Sequence, residues 1–203
     1  RDILHEHGGW QDQIAAAYGG LNRIDFNDGE FTVSPIIISS ERKRELNQNL
    51  MLFYTGIQRF SSEIQADTFA KPVDKTSQLL DMLQLVDEAE QILCDKNTSL
   101  NEFGKLLDTT WKLKRGTGAK VSNGSIDELY DMAIKAGAIG GKLLGAGGGG
   151  FLLFYCEKEK QPLLIKALEK LMVVPFNFET GGARVLYYAP QEYSPRKDSL
   201  ING

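Results

Sequence analysis

The sequence predicts an α+β fold, with short strands on either side of a run of helices. Three observations carry that prediction. Asn27-Asp28-Gly29 sits between two alternating segments, which is a strong hairpin signal. Between residues 76 and 136 apolar positions recur at helical spacing, with two Ser-x-x-Glu starts. The glycine-dense run "GGKLLGAGGGGFLLFY" then leads straight into an apolar strand. No regular alternation of strand and helix calls for a parallel doubly wound sheet.

The elements follow in order. In "GGWQDQIAAAYGG", residues 8–20, Ile14 to Tyr18 suit a short helix that Gly19-Gly20 stop. The hairpin strands span about 21–26 and 31–38. "NLMLFYTG", residues 49–56, reads as a buried strand, with Gly56 ending it or opening a helix toward Ile64. A helix over Thr76–Cys94 carries Leu79, Leu80, Leu83, Val86, Ala89 and Leu93 on its apolar face. Ser99 with Glu102 starts a second, with Leu106, Leu107 and Trp111 on one side, and Ser125 with Glu128 starts a third. After the glycines come a strand at 151–156, a helix near 160–172 and a hairpin in "FNFETGGARVLYY" turning at Gly181-Gly182. The expected division is 1–45 as the remainder of an N-terminal domain, 46–190 as a C-terminal domain, and 191–203 as a tail.

Composition narrows the function classes. With 42% hydrophobic residues the chain can fill a core, and a net charge of -4 offers no basic stripe for nucleic acid. Glu41-Arg42-Lys43-Arg44-Glu45 reads as a solvated face. No window reaches the ~18 apolar residues of a membrane helix, so no membrane partner is expected. Cys94 and Cys156 stand apart and read as buried thiols in a reducing cytoplasm. The opening "RDILHEHGG" reads as the interior of a longer protein.

Several groups could carry chemistry. His5 and His7 flank Glu6, but no third metal ligand lies near in sequence, and a polar helix end explains them equally. Gly145, Gly147 and Gly150 satisfy GxGxxG, yet a strand follows where the dinucleotide motif needs a helix. Walker A asks for Lys then Ser or Thr after the last glycine, and Phe151-Leu152 stand there. Asp12, between Gln11 and Gln13, could complement a helix N-terminus or accept a proton from a substrate hydroxyl. Local sequence leaves both open. The glycines likewise admit close packing or a backbone wall against a ligand.

Taken together, "GGWQDQIAAAYGG" and the downstream "GGKLLGAGGGGFLLFY" resemble the C-terminal part of the GHMP kinases. "LMLFYTGIQRFSS", "WKLKRG" and "VSNGSIDELYDMAIKAGAIGGK" are most similar to the heptose 7-phosphate kinase branch, with L-fucose kinases next. The resemblance implies the end of a ribosomal S5-like N-terminal domain followed by a ferredoxin-like domain, and an ATP-dependent kinase acting on a sugar or sugar phosphate, at the anomeric hydroxyl of a heptose 7-phosphate. It implies Asp12 as the acid that orients or deprotonates the acceptor hydroxyl, and Gly145, Ala146, Gly147, Gly148, Gly149 and Gly150 as a backbone lid, with Lys142 leading it. Thr55, Gly56 and Arg59 fall near the acceptor pocket, and Trp10 and Gln11 adjoin the acid. Arg59, Lys112, Lys114 and Arg115 are candidates to hold a sugar's own phosphate, although helix lysines are commonly solvated. The family's first two motifs, with the nucleotide phosphate loop and the Mg2+ contacts, have no counterpart here. This chain alone is therefore expected to be inactive and to work with the N-terminal half of the same kinase, a non-catalytic binding module being the alternative.

Overall fold

In a computed structural model the described residues are 10–57, 76–116, 121–145 and 148–188. Helix α1 (Gln11–Tyr18) precedes the antiparallel hairpin β1 (Asn22–Asn27) and β2 (Glu30–Pro35), paired from Asn22↔Pro35 to Asn27↔Glu30. Asp28 and Gly29 both take positive φ, as a tight two-residue turn requires. Next come α2 (Ser40–Asn49), β3 (Leu50–Tyr54), α3 (Thr76–Cys94), α4 (Asn101–Gly116) and α5 (Gly124–Lys135). The chain continues through β4 (Gly140–Leu143), β5 (Phe151–Tyr155), α6 (Gln161–Ala167) and β6 (Met172–Val174).

Strands β3 to β6 form one antiparallel sheet in the order β4-β5-β3-β6. That order, with helices between its first and second strands and between its third and fourth, is the split βαβ arrangement of ferredoxin-like folds. The predicted α+β class therefore holds. Alternation along β3 and β5 sends Met51, Phe53, Leu152 and Phe154 into a core with Trp111, Ile126, Tyr130 and Leu164. A second cluster joins Leu46, Leu93, Leu100, Leu107 and Tyr155.

Several sequence expectations need correction. Strand β4 precedes the glycine loop as well as β5 following it, and it lies so close to α4 that a Cβ on Gly140 would strike the Gly104 carbonyl and Asp108. A Cβ on Gly141 would strike Phe154. Bare backbone there serves close packing. The charged cluster at 41–45 lies in α2, and Arg42 is not merely solvated. Its guanidinium donates to the carbonyls of Ile92, Leu93 and Thr98, at and just beyond the C-terminal end of α3, where a cation is favoured.

Helix α5 is capped by Asn123, whose Oδ1 accepts from Ile126 N–H at 3.0 Å, so Ser125 lies inside the helix rather than at its cap. Ser99 does accept from Asn101 N–H, but Glu102 pairs with Lys105 instead of completing a capping box. On α3 only the C-terminal end is buried, while Leu79, Leu80, Leu83 and Val86 are exposed. Cys94 is exposed, and only Cys156 is a buried thiol, pushed up to about 11 by burial.

The second predicted hairpin does not form. Residues 176–188 carry no strand; instead the Gly181-Gly182 segment crosses the end of α1. Gly20 N–H donates to the Glu179 carbonyl and Ala183 N–H to the Ala17 carbonyl, both at 2.9 Å. A Cβ on Gly19 would meet the Gly181 backbone, and one on Gly182 would meet Ala17. Gly19 and Gly182, one from each glycine pair, thus let two backbones touch where side chains would hold them apart. Asn47 of α2 fixes the approach by accepting from Phe178 N–H at 2.9 Å. The expected helix toward Ile64 and the 191–203 tail lie outside the described residues, as do His5 and His7.

Candidate active site

Asp12 stands exposed in the first turn of α1, whose N-cap position is Trp10 with no side-chain cap. Trp10 and Gln11 border an open cleft of about 470 Å³ shared with Phe26, Asn27 and Asp28 at the hairpin turn. The Trp10 ring meets Phe31 edge-on at 6.5 Å. The Asp12 carboxylate instead acts by its charge on Lys114, at the end of α4.

Lys114, in the last turn of α4, is half-buried, and its Nζ donates to the Gly145 carbonyl at 2.6 Å. Burial pulls its ammonium down to about 8, the charge of Lys142 pulls the same way, and the Asp12 carboxylate pulls it back up. Lys142 is also lowered, by burial. Lys114 thus bonds Gly145, where β4 enters the glycine loop, and feels the charges of Lys142 and Asp12 there. The other helix cations are engaged elsewhere: Lys112 pairs with Asp108, and Arg115 with Asp127 while lying over the Trp111 and Tyr130 rings.

The far end of the loop is tied down by uncharged bonds. Gly148 N–H donates to the Val121 carbonyl at 3.0 Å, and Gly150 N–H to the Ile57 carbonyl at 2.9 Å. The Gly150 carbonyl accepts from both the N–H and the hydroxyl of Thr55. A Cβ on Gly149 would collide with Ile57, and Gly145, Gly148 and Gly150 all have φ between +73° and +95°. The loop is thus a backbone structure that other residue types would strain. Its Gly148 and Gly150 amides already have partners within the protein.

Of the residues expected from sequence, Gly145 accepts from Lys114, and Lys142 and Asp12 act on Lys114 by charge. Trp10 and Gln11 adjoin Asp12 along the helix but border the hairpin cleft. The Thr55 hydroxyl, expected near the acceptor pocket, also accepts from Ile57 N–H and so holds the loop from behind. Gly56 takes φ +72° with open space at its Cβ position. Arg59, Ala146 and Gly147 lie outside the described residues. Among the described residues no group of three or more His, Cys, Asp or Glu side chains could hold a metal ion. No described helix is long and apolar enough to cross a membrane.

The sequence offered Lys114 beside Lys112 and Arg115 as a candidate to hold a sugar's phosphate, without separating it from them. The available signal was its spacing. Lys114 and Arg115 lie three and four residues after Trp111, on the face that goes inward, whereas Lys112 does not.

Comparison with known proteins bears on this site. Residues 87–174 match the family described as GHMP kinases C terminal. The D-glycero-alpha-D-manno-heptose 7-phosphate kinase of Campylobacter jejuni is 33% identical over 190 residues, covering 91% of this chain and 55% of that protein. The bifunctional fucokinase/GDP-fucose pyrophosphorylase of Arabidopsis thaliana is 28% identical over 174 residues, covering 83% of this chain and 16% of that protein. Among solved structures, a D-glycero-D-manno-heptose 1-phosphate kinase from Bacteroides thetaiotaomicron superposes with a TM-score of 0.65 at 25% identity, covering 90% of this chain and 50% of that one. The chain thus spans about half the length of the heptose kinases it matches.

Proposed function

The chain carries the C-terminal domain of the GHMP kinases, and from that premise we propose that the whole protein is an ATP-dependent sugar kinase. The acceptor in this reading is the anomeric hydroxyl of a heptose 7-phosphate, as the similarity to the Campylobacter jejuni kinase suggests. One observation carries the proposal: the Asp12 carboxylate acts by its charge on Lys114, which bonds the entrance to the glycine loop.

Phosphoryl transfer asks for aligned reactants, donors for the phosphate charge and a group to receive the hydroxyl proton. Asp12 takes the last role, orienting the hydroxyl and accepting its proton. Lys142 and the loop backbone offer positive charge and N–H dipoles for the phosphate oxygens, with the amides of Gly148 and Gly150 left to hold the loop's shape. ATP supplies the phosphoryl group when bound. In this reading the Mg2+ contacts belong to the N-terminal half, as the family resemblance implies, and no step here runs through the metal. Exposed Phe26, Phe31, Val185, Leu186, Tyr187 and Tyr188 support an apolar docking surface for that half. The division near residues 45 and 190, and a cytoplasmic location, belong to the same reading.

A neutral sugar such as L-fucose is the second reading, favoured by the similarity to the fucokinase. A panel of sugars and sugar phosphates assayed with ATP on the intact protein separates the two. Heptose 7-phosphate as the preferred acceptor supports the first, preference for fucose the second, and turnover of neither removes both.

A further inference from the structure

The amides of Gly148 and Gly150 are spent inside the protein, whereas the Gly149 N–H makes no hydrogen bond among the described residues. A donor left over in a glycine loop serves a phosphate only if its direction is fixed beforehand. The peptide unit is planar and trans, so the Gly149 N–H points opposite to the Gly148 carbonyl. Glycine on both sides gives that plane little resistance to turning. Whatever holds the Gly148 carbonyl therefore aims the Gly149 donor.

The holder is Asn123, whose Nδ2 donates to the Gly148 carbonyl at 3.3 Å. The same side chain caps α5, its Oδ1 accepting from Ile126 N–H at 3.0 Å. Two residues earlier, the carbonyl of buried Val121 accepts from Gly148 N–H at 3.0 Å, so the turn before α5 grips Gly148 at both its polar atoms. That turn is itself anchored. Ser122 donates to Asp127, Asp127 pairs with Arg115, and the Arg115 guanidinium lies over the rings of Trp111 and Tyr130 in the main core. The core is thus joined to the glycine loop through a chain of polar contacts, and Asn123 is its last link.

We propose that Asn123 is a positioning residue of the phosphoryl-transfer site: it fixes the peptide between Gly148 and Gly149 so that the Gly149 N–H is aimed at the phosphate oxygens. The catalytic consequence rests on the sugar-kinase reading; the clamp on Gly148 stands on the hydrogen bonds of Asn123 and Val121 alone. The two ends of the Asn123 side chain can be separated by substitution. Asp and Ser both cap helices well, but an ionised Asp has no donor for a carbonyl, and Ser is too short to cap α5 and reach Gly148 as well.

Hydrogen exchange in the 203-residue chain reads the clamp directly. In Asn123→Asp the Ile126 amide should stay protected while the Gly148 amide quickens by about 3–10-fold, the loss of one neutral hydrogen bond. In Asn123→Ala both should quicken. A Gly148 amide unchanged in Asn123→Asp overturns the clamp whether or not the protein is a kinase. In the intact protein, Asn123→Asp should lower kcat by ~10²-fold with little change in the KM for ATP, because a donor aimed at developing charge acts chiefly in the transition state. Asn123→Ser should show the same split, which separates the missing donor from the added charge. A residue that only caps the helix would be replaced adequately by either, so near-normal kcat in Asn123→Ser overturns the positioning role. If the intact wild-type protein phosphorylates no sugar, the sugar-kinase reading fails, while exchange at Gly148 still decides the clamp.

Discussion

The four-stranded sheet and the α1–hairpin unit are held together in different ways. Around the sheet, large side chains such as Trp111, Phe53, Phe154 and Tyr155 are fully buried. Among the described residues from Trp10 to Ser40, Ile14 is the one buried side chain. That unit is attached by partly buried Leu21, Ile36 and Ile38 against the second core cluster, by backbone bonds to the segment at Glu179 and Ala183, and by Arg23, which pairs with Asp87 and Glu90 of α3. Apolar burial dominates folding free energy, so stability resides chiefly in the sheet. The candidate acid, Asp12, lies in that less buried part.

The contrast is testable by substitutions of decreasing effect. Trp111→Ala empties the centre of the main core and should destabilise the chain by about 3–5 kcal/mol, read by urea unfolding. A loss of under 1 kcal/mol would remove the sheet core from its dominant place. Gly182→Ala puts a methyl group against the Ala17 backbone and should cost about 1–3 kcal/mol, confined to that contact. Hydrogen exchange should then quicken in α1 and leave β3 and β5 protected. Equal loss of protection in both would mean that the two parts are one cooperative unit. Asn123→Ala removes the cap of α5 and should cost about 1 kcal/mol, with Ser125→Ala nearly neutral. The reverse ranking would restore Ser125 as the cap.

Much of the sheet domain was legible in the sequence because its signals are local. The helices α3 to α5 show their period, the first hairpin shows its turn, and β5 is an uninterrupted apolar run. The failures have physical causes. Strand β4 contains Gly140 and Gly141, which have no side chains to alternate and are chosen for contact with α4 and Phe154. Helix α2 buries only Leu46, leaving almost no apolar stripe to detect. "FNFETGGARVLYY" has the look of a hairpin, but Gly181 answers to Gly19 and Gly182 to the Ala17 backbone, more than 160 residues earlier in the chain, so the glycines serve close backbone packing. At the site, Asp12 and the glycines were legible only through the resemblance between two distant segments. Lys114 was named only as a candidate phosphate holder; its bond to the Gly145 carbonyl was not legible because Gly145 lies 31 residues away.

The most direct test of the account is Asp12→Asn in the intact protein. The side chain is exposed and has little to do with packing, so the melting temperature should stay within error of the wild type. The kcat for sugar phosphorylation should fall by about 10²–10⁴-fold, the range expected when a general base is removed. Turnover within a few-fold of wild type would contradict the assignment of Asp12, and with it the reading of this site as the place where the phosphoryl group is received.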